Sequence, residues 1–573
     1  MSREEFEKNI LKDNYIDLAY NRYLKFKESP LYDEKYKFEI LEELNGYLRN
    51  HPITETSVVD IAKKIQTSNP NTGAFVHWNN TDTLVTYAEQ RPREVADLWN
   101  RLYDESLPIA NRIATFQEQV KAFDPNKAVG AALFGYLLAA YDYTTYPLYK
   151  GEVYQGVKTT YQIEQKMGAI SENYATYFRI CEVILKHLNK KYPDLNMLDI
   201  QDFLYCSTRY KKVQVETAVD YLHELASTLA HYKEHPAQMI DGIVSLDKHV
   251  LHELLENYRD TDKVNKLRFK VIDRIISEGS MTISVLESIK EEVSTLYDTN
   301  ILNSWNNFTI LFHLFYYDKK DKVLHELGKI HQAIRQMSEL EDFDLTENKT
   351  LNGFNWNQAF GGSECWLAVY ETKYKSHRAA PQFFLRVDEN GVKYGLGHGD
   401  NHPEAGMADL ENVEDINQFT YERLEAKMAS VAEDMQKLEG TTDTGDYLYS
   451  DDVLEKEQWL DLLHDRTIFR EDDLVFLTKM YEMGGGATAT ELAAALGKHF
   501  SSFNAPVVAL GKRIYQETRI EPFIGEDGKA SYWRVLFNGS YEAANRFKWI
   551  IKPNLNEAST EYIQSLPEKE AKQ

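Results

Sequence analysis

From Glu4 to about Leu340 apolar residues recur every three or four positions between charged ones, the spacing that puts one apolar stripe on a helix. Ile10, Leu11, Tyr15, Leu18, Ala19 and Tyr23 set the first run, which Pro30 breaks. Tyr36 to Leu48 resumes it with Phe38, Ile40, Leu41 and Leu44 and stops at Asn50-His51-Pro52. Further helices are predicted over Thr56 to Gln66, Glu89 to Leu102, Pro108 to Val120, Lys127 to Tyr141, Tyr161 to Leu188 and from Asp199 to Tyr205. Proline opens a helix at little cost, because the amide it lacks would have no intrahelical partner. Val213 to about Leu340 keeps the same period, and no fixed-length repeat is evident.

The pattern changes between Leu351 and Gly399. Cys365 to Tyr374, preceded by Gly361 and Gly362, is apolar and aromatic with partial alternation and predicts a strand. Gln382 to Val387 and Val392 to Leu396 flank Asp388-Glu389-Asn390-Gly391, and Asn-Gly between strand formers predicts a hairpin because both residues tolerate positive φ. Asp400 to Asp452 is acidic, with a helix predicted over Thr420 to Leu438 and a linker at Gly440 to Gly445. A compact pattern follows. A helix over Asp472 to Met483 ends at three glycines, and Thr488 with Glu491 forms a capping box for Ala489 to Leu496. A third helix runs from Pro506 to Thr518, and Glu526-Asp527-Gly528-Lys529 turns a hairpin whose second strand is Tyr532 to Phe537. Three short helices and a wing predict a winged helix-turn-helix.

The fold class is therefore multidomain and mainly α, with a small central α+β domain and a C-terminal winged helix-turn-helix. Helical domains are expected over 1–205 and 206–340, the α+β domain over 341–440, and a linker and helix over 441–470. The winged-helix-like module is expected over 471–560 and a disordered tail over 561–573.

The 573 residues can bury several cores, and a net charge of -25 argues against a general nucleic-acid coat without excluding a local basic patch. Two patches stand out: Lys373, Lys375, His377 and Arg378 in the centre, and Lys512, Arg513, Arg519 and Lys529 near the end. Gly484 to Lys552 holds nine Lys/Arg against six Asp/Glu. Three separated cysteines (Cys181, Cys206, Cys365) give no disulfide framework and fit a reducing compartment. The polar start MSREEFEKN is unlike a secretory signal, and the most apolar stretch, Val129 to Tyr141, is too short to span a bilayer, so the cytoplasm and no membrane partner are expected.

Metal and nucleotide chemistry find little footing. His231 and His235 share a helix face, but Tyr232 stands where a zinc protease needs glutamate, and His249 with His252 is also off pattern. His398, Asp400, Asn401 and His402 read as a polar loop. Gly511-Lys512 lies inside a predicted helix, is followed by Arg513, and has Pro506 where a phosphate loop needs its upstream glycine. Glu371-Thr372-Lys373 lies at the end of the predicted strand, as in Mg²⁺-dependent restriction nucleases, with Asp342 or Asp344 as a first carboxylate. Mg²⁺ would be the cofactor under that alternative alone; otherwise none is expected.

Three stretches resemble parts of McrB-type modified-cytosine restriction proteins and their associates. WNRLYDESLPIANRIATF (Trp99 to Phe116) and YPDLNMLDIQDF (Tyr192 to Phe203) resemble the family's helical amino-terminal region. Trp366 to Gly399 resembles its small specificity domain, and Phe500 to Ala558 resembles a module attached to restriction and HNH-nuclease proteins. The chain departs from the family in carrying no Walker motif. The resemblance implies a DNA-binding recognition component of a bacterial restriction or anti-phage system, sensing modified DNA beside a separate effector or motor subunit. Its DNA contacts would be the eight basic residues above, and Trp366, Tyr370, Phe383 and Tyr394 would wall a base pocket. The alternatives are an acidic adaptor of a defence complex and the Mg²⁺-dependent nuclease with Asp342, Glu371 and Lys373.

Overall fold

The computed structural model describes residues 3–127, 129–163, 166–259, 263–297, 306–347, 351–354, 361–374, 377–399, 406–438, 454–499, 502–520, 523–524, 530–542 and 546–565. The fold is mainly helical with small antiparallel sheets, and none of the described helices is long and apolar enough to cross a membrane. It divides into two compact units, residues 1–221 with 419–422 and residues 222–418 with 423–573. The division falls beyond the expected 205, inside the helix Lys211–Glu234, whose Val213, Val215, Ala218 and Val219 are all buried.

The described part of the first unit is built from helices alone. The apolar stretch expected over Lys127 to Tyr141 is a core helix, Ala131–Asp142, with Leu133, Phe134, Tyr136, Leu137 and Leu138 buried. It starts late because the Asp124 carboxylate accepts from the Asn126 amide at 2.9 Å and holds the preceding residues in a turn. The helix expected from Tyr161 begins only at Ile170, after Gln162 takes a positive φ of 52°. The helix Met197–Arg209 opens with a reciprocal cap. Asn196 accepts from the Leu198 amide at 2.9 Å, and Asp199 accepts from the Asn196 amide at 3.0 Å.

That helix carries Asp202 into the core, where it is fully buried and accepts from the hydroxyls of Tyr23 at 2.8 Å and Tyr32 at 2.7 Å. The buried Lys37 ammonium lies 3.4 Å from Asp202 and 2.8 Å from Glu34, and its Nζ sits 3.7 Å over the Tyr205 ring. Burial, then Asp202, pushes the Tyr23 hydroxyl far above its ordinary pKa. Charges taken out of water survive only when paired this closely.

In the second unit the strands β1 (Leu351–Gly353), β2 (Cys365–Val369), β3 (Pro381–Asp388), β4 (Gly391–His398) and β5 (Gly406–Val413) form one antiparallel meander in chain order. The expected β3–β4 hairpin is present, with Asp388 opposite Gly391. Positive φ falls on Gly391 (115°) and not on Asn390, whose amide instead donates to the Asp388 carboxylate at 2.8 Å. An added Cβ at Gly391 would collide with the Val413 carbonyl oxygen. Two strands go beyond the expectation: β1, and β5 at the start of the acidic stretch. Conversely β2 ends at Val369, and the remainder of the predicted strand to Tyr374 leaves the sheet, with Glu371 forming a lone bridge to Leu345.

One sheet face is core. Leu367, Val369, Phe383, Leu385, Val387, Val392 and Tyr394 are fully buried, alternating in register across β2, β3 and β4. Helices Asn307–Tyr316 and Lys320–Arg335 pack here, close enough that a Cβ on Gly353 would come within 2.9 Å of both Tyr316 and Val323.

The C-terminal module has its own core, which runs from Leu454 to Tyr562 and thus reaches upstream of the expected 471. Helix Lys456–His464, within the 441–470 stretch expected as a linker and helix, contributes Trp459, Leu462 and Leu463. Helix Glu471–Glu482 leads to β6 (Gly486–Thr488), helix Ala489–Leu496 and helix Asn504–Thr518. The predicted cap is present: Thr488 accepts from the Glu491 amide at 3.2 Å and donates its own amide to Glu491 at 2.7 Å. Gly497 closes the helix at φ 63°. The hairpin at Glu526 to Lys529 has only two paired residues on each side, β7 (Phe523–Ile524) and β8 (Ala530–Ser531), and its tip lies outside the described residues.

Tyr532–Val535, expected as a strand, is a 3-10 turn, and a longer hairpin of β9 (Phe537–Glu542) and β10 (Arg546–Ile551) follows, with β10 also pairing β6. The last helix, Pro553–Ser565, buries Leu555, Ala558 and Tyr562. Five residues assigned to a tail by sequence therefore belong to it; 566–573 lie outside the described residues, as does the 440–445 linker.

Candidate nucleic-acid interface

The other face of the central sheet is half exposed. Register brings Trp366 of β2, Arg386 of β3, Lys393 of β4 and Asn412 of β5 into one row across it. The next row is Ala368, Phe384, Gly395 and Leu410. Trp366 and Phe384 stack with ring centroids 5.6 Å apart, and His377 lies 5.3 Å from the Trp366 ring. Gln382, two residues along β3 and 2 % exposed, has a buried side-chain oxygen with no hydrogen-bond partner among the described residues. The segment before β3 is held against the end of β4: a Cβ on Gly399 would collide with the backbone of His377 and Arg378.

Arg386 and Lys393 stand directly opposite each other, a like-charge pair that costs stability in a sheet. Arg386 is offset by Glu364 at 2.7 Å and Asp388 at 2.9 Å, whereas no ion pair engages Lys393 among the described residues.

The four aromatics expected to wall one pocket do not share a face. Phe383 and Tyr394 are fully buried on the core side, opposite to Trp366, because cross-strand partners point the same way and Phe383 pairs with Leu396, not with the Trp366 row. Tyr370, 6 % exposed, lies beyond the end of β2. Phe384, Arg386, Lys393 and Gln382 were missed. The signal was available for all four: the hairpin at Gly391 fixes which β3 and β4 residues share a side.

The nuclease constellation is not assembled as expected. Glu371 sits after the strand, and its carboxylate takes an ion pair from Lys373 at 2.5 Å, which raises the pKa of that lysine. Asp342 is exposed, while Asp344, the other option, accepts from the Thr372 hydroxyl. Among the described residues no three His, Cys, Asp or Glu side chains converge as a metal site. His231 bonds Gln238 at 2.7 Å, and His249 and His252 are exposed. Lys375, Asp400, Asn401 and His402 lie outside the described residues; His398 is buried.

In the C-terminal module the predicted cations separate. Arg513 turns inward, donating Nε to the Ile468 carbonyl at 2.8 Å and pairing with the buried Asp473. Asp473 also caps its own helix by accepting from the Arg470 amide at 2.9 Å. Arg513 is thus a structural residue, a correction to its reading as a DNA contact. Lys512 is exposed, with Nζ 5.2 Å over the Tyr532 ring. Arg519 caps the helix in the left-handed region at φ 62° and is half-buried. Lys529 lies outside the described residues. Against known proteins the chain matches no family model, no curated protein and no solved structure.

Proposed function

We propose that the chain is a DNA-binding recognition component of a bacterial restriction or anti-phage defence system, sensing modified DNA and acting with a separate effector. The outward row of the central sheet carries this reading. A half-exposed Trp366–Phe384 stack offers a platform for a base, and Lys393, which no described residue engages in an ion pair, is placed to meet an anion such as a backbone phosphate. The resemblance of Trp366 to Gly399 to the specificity domain of McrB-type proteins supports the same assignment.

The C-terminal order helix, strand, helix, helix and paired strands supports a winged helix-turn-helix and a second duplex contact. Trp366→Ala tests the platform. Its affinity for a cytosine-modified duplex should fall about tenfold while plain-duplex affinity changes little. Equal losses on both duplexes would remove base reading from this face. Absence of duplex binding by the unaltered protein would turn the account to an acidic adaptor.

A further inference from the structure

We propose that the exposed face of the helix Asn504–Thr518 reads A·T base pairs in the major groove. The inference rests on the DNA-binding reading above and adds what that helix selects. Its orientation is fixed from behind. Val507, Leu510 and Ile514 are buried, Arg513 is tied to Asp473 and Ile468, and Gly511 has no room for a Cβ beside the Tyr532 carbonyl. The opposite stripe is Asn504, Ala505, Ala509, Lys512 and Gln516, all exposed, with Val508 half-exposed, at spacings that share one helix face.

The electrostatics suit a polyanion. In a chain with 90 Asp and Glu, the 25 residues from Leu492 to Gln516 contain neither; of the lysines among them, Lys498 pairs with Asp472 at 3.7 Å and Lys512 faces solvent. The chemistry of the stripe narrows the choice of base. A primary amide matches the paired N6 donor and N7 acceptor of adenine, and small apolar side chains match the thymine methyl. Asn504 and Gln516 supply the amides, and neither side chain is engaged in a hydrogen bond with the described residues. Ala505, Val508 and Ala509 supply the apolar contacts. Guanine is most often read by a bidentate arginine, and the arginine of this helix points into the module. Lys512, within the stripe, leans toward the Tyr532 ring with its ammonium exposed, a place for a phosphate contact.

The test is fluorescence anisotropy of the full-length protein on labelled duplexes of equal length, A·T-rich, G·C-rich, and A·T-rich with uracil replacing thymine, at one low salt concentration. The A·T-rich duplex should bind about tenfold more tightly than the G·C-rich one, and uracil should cost about threefold by removing the methyl contacts. Joint Asn504→Ala and Gln516→Ala should erase the preference while leaving G·C-rich affinity in place. Equal binding of the two duplexes, a G·C preference, or a preference that survives the double substitution overturns the inference alone. No binding to any duplex overturns it together with the DNA-binding reading.

Discussion

Two basic clusters look alike along the chain, Lys373 to Arg378 and Lys512 to Arg519, and the fold uses them differently. In the central sheet the sequence cluster lies on the segment between β2 and β3, where Glu371 already engages Lys373. The cations that reach the outward row, Arg386 and Lys393, come from strand alternation and not from a run of basic residues. In the C-terminal module two adjacent cations diverge: Lys512 faces solvent and Arg513 neutralises a buried carboxylate. Positive charge in a sequence therefore marks where cations are, and the acids the fold brings beside them determine which remain for a ligand.

The sharpest way to break this comparison is to remove each member of the C-terminal pair. Arg513→Ala strands Asp473 in the core and should destabilise the module by about 3 kcal/mol, whereas Lys512→Ala should cost under about 0.5 kcal/mol. Denaturant unfolding of the two variants measures both. Similar losses would mean that Arg513 is as dispensable as a surface cation.

A second test concerns what supports the sheet. His331, on the helix packed behind it, is fully buried with neither ring nitrogen hydrogen-bonded among the described residues, and burial, then Arg335, lowers its pKa to about 4. A histidine depressed below its ordinary value contributes stability that is complete above about pH 6.5 and is lost as pH falls toward 4. The loss should be about 2 kcal/mol, and His331→Leu should flatten it over that window. Thermal unfolding between pH 7 and pH 4 reads the difference. An unchanged slope would place the acid sensitivity elsewhere, with His325, also lowered to about 4 by burial and by Lys329, as the first alternative.

The least change is expected at Lys393, the outward-row cation that no described residue engages in an ion pair. Lys393→Ala should leave stability nearly unchanged and reduce the salt slope of duplex binding by about one. An unaltered slope would remove phosphate from the account of the outward row.

Much of the architecture was legible in the sequence. The helical half, the β3–β4 hairpin and the Thr488–Glu491 cap follow from local spacing and turn chemistry, which need no distant partner. The base pocket was not legible as drawn. Grouping Trp366 with Phe383 and Tyr394 requires the β2–β3 register, and the connection from Tyr370 to Ala380 carries no turn signal that fixes it. Strand β5 was hidden for a similar reason: its acidic composition outweighs its pattern until β4 supplies pairing. The inward turn of Arg513 depends on Asp473, which lies 40 residues earlier in the chain and beyond the reach of any local pattern.

Binding of the 573-residue chain to duplexes, plain and cytosine-modified, at two salt concentrations with and without Mg²⁺ decides whether it recognises DNA. The account predicts binding that weakens as salt rises, favours the modified duplex and leaves both strands intact. Failure to bind either duplex at low salt would contradict it, and strand cleavage with Mg²⁺ would return Glu371 and Lys373 to a catalytic role.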